Sequence, residues 1–190
     1  MKSVIMGVAM VMSLAAAMPA AALQNTVTEM DNEVSASDSG WIYRTFEREG
    51  AGTVSVVYTA DATMPGAMFT CSEAAGLGVA LATRPLDFLE AIEGGTNRAR
   101  SRTVRTTIGD REPITDRWTM LPVYGTVEPR KASTRRALYN AVVRGQSVTL
   151  EIDARPDTTI TFPEINSSFV EFASTCPVTS GGASTKDEEA

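Results

Sequence analysis

The chain has 190 residues, 43% of them hydrophobic and 21% charged, with a formal net charge of -6 and no histidine. That hydrophobic share is enough for a globular core, and the acidic balance argues against nucleic acid as a partner. The missing histidines exclude the Ser-His-Asp and Cys-His nucleophile arrangements and every histidine metal site.

In chain order, Met1-Lys2-Ser3 gives a short positive start, Val4 to Ala17 is an apolar run, and Met18-Pro-Ala-Ala-Ala22 supplies small residues. This pattern predicts a signal peptide over 1–22, cleaved after about Ala22, because the apolar run falls short of the roughly 20 residues that span a bilayer. Removing those 22 residues leaves 168, suited to one domain, and with Lys2 gone the charge becomes -7. No later segment is long and apolar enough to cross a membrane, so the expected product is periplasmic or secreted. Residues 23–40 carry Glu29, Asp31, Glu33 and Asp38 among small polar groups and are expected to form a flexible acidic leader. Residues 179–190 read as a disordered acidic tail, which leaves 41–178 for the folded domain.

Within it, Trp41 to Arg48 and Thr53 to Ala60 predict a hairpin about a glycine-containing turn. The strand Ala67 to Cys71 and the strand Leu77 to Ala82 follow. Arg84 to Glu93 changes to helical spacing, with Pro85 suited to a first turn and Gly94-Gly95 as the stop. Arg98 to Gly109 and Thr115 to Leu121 predict a second hairpin. Ser133 to Arg144 is the clearest helix, with Ala137, Leu138, Ala141 and Val142 on one side. Gln146 to Asp153 alternates as a strand, Thr159 to Phe162 follows it, and a last helix begins near Ser168, where Ser168-Phe-Val-Glu171 matches a capping box. The fold expected is α+β: a single domain, mostly an antiparallel sheet of about six to eight strands with two or three packed helices and one disulfide. Cys71 and Cys176 are the two cysteines, and in an oxidising compartment an isolated pair is most simply a disulfide. Neither a Cys-x-x-Cys motif nor a second pair is present to support a redox role.

Charge is unevenly placed. Between Arg98 and Arg144 ten arginines and Lys131 face only Asp110, Glu112, Asp116 and Glu128, an excess of +7 in an acidic protein. Arg98, Arg100 and Arg102 share a strand face by their spacing, with Arg105 opposite, while Arg135 and Arg136 lie in the helix. Guanidinium groups grip carboxylates and phosphates bidentately. Two readings follow: a site for an anionic partner, such as an envelope polymer, a lipid headgroup or a periplasmic protein, or a solvated face balanced by the chain's own acids. Asp110 with Glu112, or Asp87 with Glu90, are the candidate carboxylate pairs for a hydrolase. No phosphate loop, metal set or cofactor motif is present. Trp41, Trp118, Tyr58 and Tyr124 either line a groove or belong to the core.

The order Phe69-Thr-Cys71, apolar strand Leu77 to Ala82, Val104 to Gly109 leading to Trp118, amphipathic helix Leu138 to Val143, strand Val148 to Ile152, Thr159 to Phe162 and a helix ending at Cys176 resembles the small periplasmic accessory proteins associated with type VI secretion, the TagO/VasI type. The resemblance covers roughly residues 53 to 177 and rests on hydrophobic pattern and two cysteines. It implies a non-enzymatic envelope protein holding an intramolecular disulfide. The chain departs from the pattern in lacking further cysteines in its leader and in its arginine-rich strand. A binding or accessory protein is the first expectation, and a cell-wall-directed hydrolase, or an inhibitor of one, is the alternative.

Overall fold

The computed structural model describes residues 40–48, 52–93 and 98–176. The expected signal peptide, leader and tail lie outside them. Nine strands and three helices follow one another in the order β1 (Trp41–Arg48), β2 (Gly52–Thr59), β3 (Ala67–Ser72), β4 (Gly76–Ala82), α1 (Phe88–Glu93), β5 (Arg100–Ile108), β6 (Ile114–Leu121), β7 (Thr126–Pro129), α2 (Ala132–Val143), β8 (Val148–Ile152), β9 (Thr158–Ile160) and α3 (Ser167–Thr175). All strands join one sheet in the order β1-β2-β3-β4-β7-β6-β5-β8-β9. Every pairing is antiparallel, as hairpin-length connections favour. The α+β expectation holds, with one strand beyond the six to eight expected. The added strand is β7, which pairs Val127 with Leu81 of β4 and with Met120 of β6, and so joins the two halves of the sheet.

The sheet is curled. Eight strand spacings of about 4.8 Å would put β1 and β9 about 38 Å apart on a flat sheet. Yet the Trp41 Nε1–H donates to the carbonyl of Pro163, three residues past the end of β9, at 3.2 Å, and three residues reach about 10 Å. Asn166 closes the same seam: its Nδ2 donates to the Trp41 carbonyl at 2.9 Å.

The hollow of the curl holds the main core. Phe69, Leu81, Val104, Trp118, Leu150 and Ile160 face α2 and α3 there, with Leu138 and Phe169 as the principal helix contributions. Trp41 and Trp118 are fully buried in it and Tyr58 in the second cluster, so these three aromatics are core rather than groove. On the back of β1 to β4 a second cluster, Val56, Tyr58, Ala82 and Phe88, is capped by α1. Gly66 is required beneath that cap, because a Cβ there would collide with the Thr59 hydroxyl and crowd the Phe88 ring. Among the described residues no helix covers the back of β5, β6, β8 and β9. Alternation there presents Thr103, Thr107, Thr115, Thr149 and Thr159, a solvated face of the kind an antiparallel sheet can carry.

Two helix starts differ from the sequence expectation. Helix α1 begins at Phe88, not near Pro85, because the Asp87 side chain accepts the Leu89 N–H at 2.9 Å and so caps it. In α3 the cap is Asn166, whose Oδ1 accepts the Phe169 N–H at 3.1 Å, and Ser168 falls inside the first turn. Asn166 wins because one amide both caps the helix and holds Trp41.

The disulfide forms between Cys71 and Cys176, with a Cα separation of 5.6 Å. It ties the end of α3 to β3, and both half-cystines are buried.

Candidate functional site

The six arginines singled out by spacing do not form one cluster. Arg100 and Arg102 stand on the same face of β5, opposite Met120 and Trp118 of β6, and Arg98 continues their spacing just before the strand. All three are exposed. Arg102 Nη1 donates to the carbonyl of its neighbour Ser101, at 3.3 Å. Among the described residues no carboxylate pairs with Arg98, Arg100 or Arg102. Arg105, on the other face, is spent on Glu151, which the register places opposite it on β8; Nη1 and Oε2 are 3.1 Å apart. Both are well exposed, so this pair contributes about 1 kcal/mol at most.

Arg135 is turned inward. Its Nη1 donates to the Leu77 carbonyl at 2.9 Å and its Nη2 to the Arg130 carbonyl at 3.4 Å, which fastens α2 to β4. Its Nε is buried without an acceptor. Arg136 stays exposed on the outer side of α2.

Strand length makes the Arg98–Arg102 stretch distinctive in a second way. β6 pairs with β5 from Arg100 through Thr106, whereas β8 meets β5 only from Val104, opposite Ile152, to Ile108. β8 stops there because Ala154 turns the chain with φ +60° and the Arg155 N–H returns to the Ile152 carbonyl at 3.0 Å. Residues Arg100 to Thr103 thus have no backbone partner on that side among the described residues.

Two acids missed by sequence reasoning are more constrained than the pairs it named. Asp116 on β6 is 7% exposed. Thr134 Oγ1 donates to its Oδ2 at 2.7 Å, and Lys131 bridges to its Oδ1, so the first turn of α2 is pinned to the sheet. Burial works against the charged carboxylate, but the hydrogen bonds from Lys131 and Thr134 and the Lys131 charge outweigh it and hold the group below the usual carboxylate range. A depressed carboxyl contributes stability that is complete above its unfolded value near 4 and is lost as pH falls through its folded value. The Asp116→Asn protein should therefore lose about 1.5–3 kcal/mol at pH 7. Its deficit relative to wild type should shrink below pH 4, as read by urea unfolding at both pH values; a deficit independent of pH would show that the charge is not what matters.

Glu128 on β7 is half-buried, and burial pushes its carboxyl above the ordinary range. The register sets it in a line with Thr119 and Ser101 across three strands. Thr119 Oγ1 accepts from Arg130 Nε at 3.2 Å, and the Ser101 hydroxyl is buried without a partner. By contrast Asp110 and Glu112 sit exposed in the turn between β5 and β6, and Asp87 is engaged as the cap of α1.

No group of three or more Cys, Asp or Glu side chains among the described residues is arranged to hold a metal ion. Among them too, no helix is long and apolar enough to cross a membrane. Comparison with protein-family models, with curated proteins and with solved structures finds no match.

Proposed function

We propose that this is an exported, non-catalytic binding or accessory protein of the bacterial envelope, and that it takes an anionic partner along Arg98, Arg100 and Arg102. The observation that carries this reading is a contrast among the cations: Arg105, Lys131 and Arg135 are engaged by the chain itself, while these three guanidinium groups stand exposed in a line with no carboxylate paired to them among the described residues. The buried disulfide supports an oxidising compartment, periplasmic or extracellular. The periplasmic location, the signal cleavage near Ala22 and the likeness to type VI accessory proteins belong to this proposal.

The test is binding of inorganic polyphosphate by the full chain at low and high salt. Binding should weaken steeply as salt rises, because exposed charge contacts are screened over about 8–10 Å. The Arg98→Ala/Arg100→Ala/Arg102→Ala protein should lose most of it while unfolding at the wild-type midpoint. Equal affinity in the triple variant would overturn the reading.

The hydrolase alternative is supported by one group, Glu128, whose desolvated carboxyl favours the protonated form that a general acid needs. Turnover of cell-wall material that Glu128→Gln abolishes, and Asp110→Asn leaves intact, would favour it over binding alone.

A further inference from the structure

An unpaired stretch in a sheet is a template for another extended chain. The bare side of β5 from Arg100 to Thr103 is such a stretch, and it selects by charge. A strand laid along it sets its side chains opposite those of β5, with Cβ atoms about 5 Å apart. Its complement therefore carries a carboxylate at every second residue.

The chain contains one segment of that kind. Glu29-Met30-Asp31-Asn32-Glu33 is the only place in the 190 residues where three acids stand at alternate positions. Its period equals that of Arg98-Ala99-Arg100-Ser101-Arg102, it has no proline or glycine, and no base occurs between residues 23 and 40. The reach is sufficient. Trp41 and Arg100 lie on one line across the sheet, through Thr59, Leu81, Val127 and Met120. A strand on the far side of β5 stands seven strand spacings from β1 in the sheet order, about 34 Å along the contour and less across the curl. Asp31 precedes Trp41 by ten residues, about 34 Å when extended.

We propose that Glu29–Glu33 of the same chain pairs with the free side of β5, its three carboxylates against Arg98, Arg100 and Arg102. The inference rests on the anion-binding reading of that edge and gives it a resident occupant. An external partner, on this view, is an extended acidic peptide that displaces the leader and uses the same backbone groups.

The experiment is amide hydrogen exchange, read by peptide mass spectrometry, on three full-length proteins: wild type, Glu29→Gln/Asp31→Asn/Glu33→Gln, and Arg98→Ala/Arg100→Ala/Arg102→Ala. In wild type the amides of 29–33 and those of 100–103 that face away from β6 should exchange about tenfold more slowly than unpaired backbone, and either triple variant should release both segments together. The acid-neutralised protein should also bind polyphosphate several-fold more tightly than wild type, because its edge is vacant. Rapid exchange over 29–33 in wild type, or exchange indifferent to both variants, overturns the pairing. If exchange fails in this way while polyphosphate binding still needs the arginines, only the leader pairing falls. If polyphosphate binding ignores the arginines while 29–33 stays protected, the anion-binding reading falls instead. Protection that grows with protein concentration, with a dimer mass in light scattering, would mean that the strand comes from a second copy, and the intramolecular pairing would be wrong.

Discussion

Replacing Phe169 with alanine should cost about 3–5 kcal/mol, the range for a buried aromatic. Its ring is the hub of the main core: centroids of Trp41, Tyr139, Phe69 and Phe172 lie 5.0, 5.5, 6.1 and 6.3 Å away. The residue is 1% exposed, and its neighbours come from the first strand, the third strand and both long helices. The cavity would be bounded by four rigid groups that belong to different elements, so collapse around it is restricted. Phe169→Leu, which keeps most of the volume, should cost about 1–2 kcal/mol. Urea unfolding midpoints at pH 7 measure both. A loss of under about 1 kcal/mol for the alanine variant would mean that α3 contributes little to the core.

Removing the disulfide should have an effect of similar size by another route. Cys71 and Cys176 are 105 residues apart, and closing a loop of that length constrains the unfolded chain by about 4–5 kcal/mol in the chain-entropy model. For a domain of this size that corresponds to a fall of roughly 10–20 °C in Tm. The Cys71→Ala/Cys176→Ala protein is the clean comparison, since both sulfurs are buried and neither leaves a charge behind. A Tm within a few degrees of wild type would show that the unfolded chain is already compact where the crosslink acts. The two losses should not add: Phe169 and Cys176 hold the same helix, so once α3 is loosened by one change the other has less to remove.

The sheet was legible wherever residues alternate over five or more positions, as in Val148 to Ile152. β7 was not. It is four residues long and ends in Pro129, a residue normally confined to strand edges and ends, so nothing local marks it as the central junction of the sheet. The helix starts were read from the wrong residues because caps compete. Ser168 had the local pattern, but Asn166 gained a second partner 125 positions away in Trp41.

The arginines divide along the same line. Period two separated Arg100 and Arg102 from Arg105, since that is a property of any strand. Which arginines are engaged depends on contacts far off in sequence: Arg105 with Glu151, and Arg135 with the Leu77 carbonyl, 58 positions away. Asp116 and Glu128 carried no signal, because an acid in a strand reads as solvent-facing unless its burial is known. The bare side of β5 was likewise hidden, being set by where β8 ends rather than by any residue of β5.

The seam at Trp41 also sets an order in time. Trp41 precedes by more than 120 residues the groups that complete it: Pro163, which accepts from its indole, Asn166, which donates to its carbonyl, and Phe169, which packs on its ring. The first strand is thus among the last parts to be locked. Contacts this distant in sequence make folding slow, and until Pro163 and Asn166 are in place β1 has no seam to close against.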